Sequence, residues 1–322
     1  MSMGKYAIIK FCHLSPLHIG TGRENYDSSS SWLHSDTITS ALAALKAQRG
    51  DSDIEEFLSR LVASSAFPFY KDMYFLPKAH GRVNFANEAE CRKSLKRVAF
   101  IERGLWLRLA RGEQLSSSDA TISGSLMYPS DYACPRLSCT QVTQRVRVYP
   151  DASKDADPFF FEWRYFDKDS GLYFLTTAEG EFLDEVVGLS RQLGSSGLGT
   201  DKNVGGGTFE VEVSELEFDD SSEANASVLL SMYIPNEQEL PVLNLDESHY
   251  SLLRRGGFAA GSSVDVIRHL RKRSIHMFDE GSVFKTREKL SGKVVDLRPE
   301  WNSQDMHPIY RSGKPFLLPY KI

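Results

Sequence analysis

The chain has 322 residues, about twice the common domain length, which favours two domains and a core that needs neither disulfides nor metals. At 41% hydrophobic and 25% charged it is no disordered chain, and no run approaches the ~20 apolar residues of a membrane span. The net charge of −5, taken alone, argues against a nucleic-acid partner.

Residues 6–14 (YAIIKFCHL) are β-branched and aromatic and read as a strand; the lysines at 5 and 10 exclude a signal peptide. A polar loop with Gly20 and Gly22 follows. Ser35 and Asp36 then stand as N-cap residues before a helical run over 37–48, with Ile38, Leu42 and Leu45 on one face. The spacing of Ile54, Phe57, Leu58 and Leu61 predicts a second helix over 53–64. FPFYKDMYFLP (67–77) predicts a hairpin turning at Lys71 and Asp72. Residues 141–149 alternate polar and apolar and, with 159–166, predict a long hairpin. Strands at 171–177 and 208–218 flank an amphipathic helix at 181–193. Extended segments recur at 227–234, 282–284, 293–297 and 315–319. Strand, helix, strands, helix, strand is the ferredoxin-like order, which places one α+β domain at 1–218 and a second, β-rich one at 225–322.

Charge is uneven along this order. Residues 91–111 hold seven Lys/Arg against Glu102 alone, and residues 254–298 hold eleven basic and five acidic residues. Residues 179–223 hold twelve acids and two bases. Such blocks suit solvated faces, and they equally suit a basic groove beside an acidic face that meets solvent or a basic partner.

Residues 194–207 (GSSGLGTDKNVGGG) contain six glycines. That density lets a phosphate approach main-chain N–H groups, and it also suits a flexible connector. A helix precedes this loop and a strand follows it, the reverse of a Rossmann or P-loop arrangement, and no Gly-Lys-Ser/Thr ending is present. An extended phosphodiester backbone fits better than a nucleoside triphosphate. The four scattered cysteines supply neither a disulfide framework nor a zinc site, and the eight histidines show no metal-ligand spacing, so no cofactor is expected. His18 and His34 flank the loop after the first strand, where either is a possible general acid.

The segments LSPLHIGTG (14–22), LHSDTITSAL (33–42), SSAFPFYKDMYFLPK (64–78), GLYFLT (171–176), GSSGLGTDKNVGGGTFEV (194–211), SMYIP (231–235), RRGGF (254–258), FDEGSVF (278–284) and HPIYRSGKPFLLP (307–319) span nearly the whole chain. In this order they resemble the RAMP superfamily of CRISPR ribonucleoproteins, and within it the fourth-subunit family of the type III-A (Csm) effector. The AFPFY…YFLPK and EGSVF segments are the most specific; Lys202-Asn203 departs from the Arg/Lys-Ser pair common in the glycine loop.

The resemblance implies an α+β fold of two ferredoxin-like (RRM-like) domains with a protruding thumb hairpin. It implies a non-catalytic, cytoplasmic RNA-binding subunit of antiviral defence that holds the 5′ handle of the guide RNA. Its partners would be the large polymerase-like subunit, the backbone RAMP subunit and target RNA near the 3′ flank, with no membrane. The residues expected at RNA are His18, Gly20, Gly22 and Arg23 after strand one, and Ser35, Asp36 and Thr37 at the first helix. Arg145 and Arg147 are expected near the thumb base, with Gly197, Gly199, Lys202, Asn203, Gly205, Gly206 and Gly207 wrapping phosphates through backbone N–H groups. Arg254, Arg255, Lys272 and Arg273 are expected from the second domain, facing RNA or a partner subunit. Two alternatives stand beside this reading: a metal-independent RAMP endoribonuclease of precursor RNA using His18 or His34, and a protein-only assembly scaffold.

Overall fold

A computed structural model describes residues 3–20, 26–86, 88–149, 151, 155–219, 223–258, 271–299 and 307–322. The first half runs β1 (Met3–Cys12), α1 (Ser35–Gln48), α2 (Ile54–Arg60), β2 (Phe67–Tyr70), β3 (Met73–Pro77), α3 (Glu88–Arg97), β4 (Phe100–Glu102) and α4 (Arg103–Ala110). It continues with β5 (Ala120–Ser123), β6 (Leu126–Pro129), β7 (Ser138–Arg147), β8 (Asp157–Phe166), β9 (Ser170–Thr176), α5 (Gly180–Ser196) and β10 (Glu210–Asp219). The second half has β11 (Ala226–Leu229), β12 (Leu252–Arg255), β13 (Ile275–Phe278), β14 (Val283–Phe284), β15 (Lys293–Asp296), β16 (Tyr310–Gly313) and β17 (Leu317–Tyr320).

One eight-stranded sheet has the order β10-β1-β9-β2-β3-β4-β6-β5, antiparallel at every junction except β4–β6. Its central strands are buried on both faces, so they read as continuous apolar runs rather than alternating ones. In β1, Ile8 joins one core while Ile9 and Phe11 join another; in β9, Tyr173 and Leu175 face the first and Leu172 and Phe174 the second. The second core is closed by α1, α2 and α5 through Leu42, Phe57 and Leu189. The first is closed by Trp106 of α4 and by Val228, Phe316 and Leu318 of the second half. The two halves of the chain therefore share one core across the sheet.

The hairpin expected at 67–77 forms as β2 and β3, with Lys71 at a φ of 52° in its turn. The long hairpin forms as β7 paired with β8, from Ser138↔Phe166 to Arg147↔Asp157. The first helix starts at Ser35 with His34 at its N-cap, so Ser35 and Asp36 lie inside the first turn and cap nothing. The second helix ends at Arg60 rather than near residue 64, because Leu61 turns extended. Nothing in the sequence reading anticipated α3, β4, α4, β5 and β6, which widen the sheet beyond β3. In the second half, the described residues form a three-stranded sheet β14-β11-β17 and the pairs β12–β13 and β15–β16, with no α-helix among them.

Candidate nucleic-acid interface

Three segments converge at the root of the β7–β8 hairpin. The loop after β1 runs against β8, where Leu17 and Arg164 exchange backbone hydrogen bonds at 2.9 and 3.0 Å. His18 is 1% exposed, bonds the Glu162 carbonyl through Nδ1 at 2.8 Å and packs on the Phe161 ring at 4.5 Å. Its Nε2 is buried without a hydrogen-bond partner among the described residues. A ring so enclosed packs into the scaffold at the root of the hairpin.

The glycine-rich loop serves chain packing first. The N–H groups of Leu198, Thr200, Gly205, Gly206 and Gly207 donate to the carbonyls of Gly207, His18, Lys202, Asp201 and Pro16. A Cβ at Gly207 would lie 1.9 Å from the Leu198 carbonyl oxygen, and one at Gly199 would lie 2.3 Å from that of His18. Gly197, Gly206 and Gly207 are buried. Of the N–H groups expected to wrap phosphate, those of Gly197, Gly205, Gly206 and Gly207 are thus bonded within the chain, and the glycines let the loop fold tightly onto the segment after β1. The exposed tip is Lys202, Asn203, Val204 and Gly205, where partial desolvation lowers the Lys202 ammonium pKa.

The cations of the hairpin divide. Arg145 pairs with Asp201 of the loop and lies over the rings of Phe161 at 4.3 Å and Trp163 at 5.3 Å. It joins hairpin to loop and is not a free phosphate ligand. Arg147 pairs in register with Asp157 at the far end of the ladder, not at its base, and is exposed, 5.9 Å over Phe159.

A larger correction concerns the start of α1. The Ser35 hydroxyl accepts from the Met232 N–H at 2.8 Å, tying the two halves together. Asp36 is fully buried and takes Arg255 in a bidentate pair, Nε–Oδ2 at 2.9 Å and Nη2–Oδ1 at 3.0 Å, together with Arg311. Burial draws the Arg311 guanidinium down to about 10, still cationic at neutral pH, and lowers that of Arg255. Ser35 and Asp36 thus build the buried junction of the halves, which Arg255 joins while it also lines the cleft beside it. Arg311, the second partner of Asp36, was missed; no spacing signal in the sequence connects residues 36 and 311.

Beside this junction lies a cleft of about 300 Å³ lined in part by Gly20, His34, Thr37, Gly199, Leu253 and Arg255. Expected residues from the loop after β1, the helix start, the glycine loop and the second half meet there. Arg254 and Arg273 are exposed outside it, with their side chains on Ser274 Oγ and the Asp296 carbonyl. Lys272 is half-buried, and burial together with nearby Arg255 lowers its pKa. Gly22 and Arg23 lie outside the described residues. No helix among the described residues is long and apolar enough to cross a membrane.

Residues 222–320 match the model of the CRISPR Csm4 C-terminal domain. Over 273 residues the chain is 30% identical to the CRISPR system Csm4 protein of Thermococcus onnurineus, covering 80% of this chain and 86% of the relative. The chain belongs to the Csm4 family. Csm4 of Mycobacterium tuberculosis (strain H37Rv) is 27% identical over 92% of this chain and 93% of its own. Csm4 of Streptococcus thermophilus is 27% identical over 95% and 96%. Among solved structures, the fold is similar to a chain of the Csm3–Csm4 subcomplex of the type III-A interference complex (TM-score 0.67, 20% identity, 98% and 100% covered). It is also similar to a chain of the Csm1–Csm4 cassette in complex with cA4 (TM-score 0.61, 21% identity, 99% of each chain).

Proposed function

We propose that this Csm4-family chain is the non-catalytic RNA-binding subunit of a type III-A effector. It holds the 5′ handle of the guide RNA against the cleft and the exposed tip of the glycine loop. It joins the large polymerase-like subunit to the backbone subunit, near the 3′ flank of the target RNA. The order β10-β1-β9-β2, with α1 and α5 on one face, supports a ferredoxin-like N-terminal domain over 1–218; 225–322 is the second domain of this reading, and the β7–β8 hairpin is its thumb.

The observation that carries the RNA reading is the convergence of Gly20, Thr37 and Gly199 on one cleft, with Lys202 exposed on the same glycine-rich loop. Family membership and the two subcomplex likenesses support the partner reading.

A salt titration of handle affinity tests the site. Each single-strand phosphate contact contributes about 0.7 to the slope of log affinity against log salt. Lys202→Glu with Arg147→Glu is expected to weaken binding and flatten that slope by about 1.4. An unchanged affinity and slope would remove these residues from the interface.

A further inference from the structure

His34 stands at the N-cap of α1, and its Nδ1 lies 2.9 and 3.1 Å from the two carboxylate oxygens of Glu280. The Glu280 side chain, 2% exposed, also accepts from the Ser65 hydroxyl. A carboxylate only accepts, so Nδ1 carries the proton, and in the neutral ring Nε2 is a lone-pair acceptor. Nε2 is not among the buried unpartnered atoms, and His34 lines the cleft. The acceptor is therefore open to whatever the cleft holds.

The surroundings select the ligand group. Arg255, the cation lining the cleft among the described residues, has its Nε and Nη2 committed to Asp36 and Thr37. Much of the remaining wall is apolar, from Ile19, Trp32, Leu33, Leu198 and Leu253. A phosphate gains little from these side chains, whereas a neutral hydroxyl or amine meets a fixed acceptor. About 300 Å³ is at the small end of ligand sites, the scale of one nucleoside rather than a strand.

We propose that His34 is a specificity residue whose Nε2 accepts a hydrogen bond from a neutral donor of one guide-RNA nucleotide seated in the cleft. The donor is a ribose 2′-hydroxyl or a base exocyclic amine. Glu280 is the positioning residue that aims the ring. The inference rests on the RNA reading above and deepens it.

The test is a binding cycle on the full-length chain, with a synthetic RNA of the 5′ handle as probe. One arm replaces each ribose in turn by 2′-deoxyribose; the other replaces each base by an analogue lacking its exocyclic amine. In the wild type, one substitution in one arm weakens binding about five- to tenfold. His34→Ala loses the same factor on unmodified RNA and ignores that one substitution, while keeping its response to the others. His34→Gln, which retains an acceptor, recovers part of the loss. Glu280→Ala lowers sensitivity at the same position; should it not fold, the His34 variants decide alone. If His34→Ala weakens every modified RNA by an equal factor, the residue is only structural and the inference is overturned while handle binding stands. A wild-type chain with no salt-dependent handle binding overturns the RNA reading and this inference with it.

Discussion

The Arg145 guanidinium is held from two segments: it pairs with Asp201 of the glycine loop and lies over Phe161 at 4.3 Å and Trp163 at 5.3 Å in its own hairpin. Arginine suits both contacts, because a planar cation stacks on a ring while its edge meets a carboxylate. Arg145→Ala is expected to cost about 1–2 kcal/mol, summing a part-exposed ion pair and a cation–π contact. Arg145→Lys should recover less than half. Urea denaturation measures both, and limited proteolysis should cut faster within 199–205 in the alanine variant.

Two neighbouring glycines should respond differently to alanine. At Gly205, φ is 82° and the Cβ position is open, so Gly205→Ala carries only the left-handed penalty of about 1 kcal/mol. At Gly207, φ is 69° and a Cβ would also strike the Leu198 carbonyl. Gly207→Ala therefore displaces backbone and should cost at least ~3 kcal/mol. Thermal unfolding of the two variants side by side checks the contrast.

Asp36→Asn removes the carboxylate that Arg255 and Arg311 share, leaving Arg311 without its ion pair and Arg255 with only the more distant Glu280 charge. A loss of about 3–5 kcal/mol is expected, as for other buried ion pairs broken on one side. The loss appears in denaturant unfolding of the RNA-free chain. An Asp36→Asn variant as stable as wild type would contradict the junction described for this residue.

Glu239 supplies a pH dependence with a definite sign. Burial pushes its carboxyl upward, but the backbone N–H groups of Asn236, Ser291 and Gly292 and the Tyr233 hydroxyl outweigh it and hold the pKa below the usual range. Its folded value is thus below its unfolded one, near 4.3. The stabilisation is complete above that unfolded value and is lost as pH falls through the folded one. Urea unfolding from about pH 7 to about pH 3 should show wild type and Glu239→Gln separated at neutral pH and converging in acid.

The parts legible from sequence are those with local pattern. Alternation along 141–149 and the FPFYKDMYF turn found the hairpins, and helical spacing at 181–193 found α5. The region 88–129 was opaque because its cations dominate: α3 has Leu95 as its one fully buried hydrophobic side chain among the described residues, and β4 is three residues long. The site was half legible. Glycine density marked the loop, but not that its N–H groups bond inward. The Asp36–Arg255 and Asp36–Arg311 pairs join residues 219 and 275 positions apart, a relation with no local signal. Hence a helix-start aspartate read as a cap and an arginine read as an RNA ligand belong to one internal junction.

Strand β10 ends the large sheet, and Glu210, Glu212, Glu215 and Glu217 lie along it, with Lys5 and Lys10 of β1 pairing to three of them. An uncovered strand with free peptide groups invites a second chain to extend the sheet. Here two copies meeting edge to edge would bring rows of carboxylates together. The charged side chains along β10 therefore oppose extension of the sheet by a second copy.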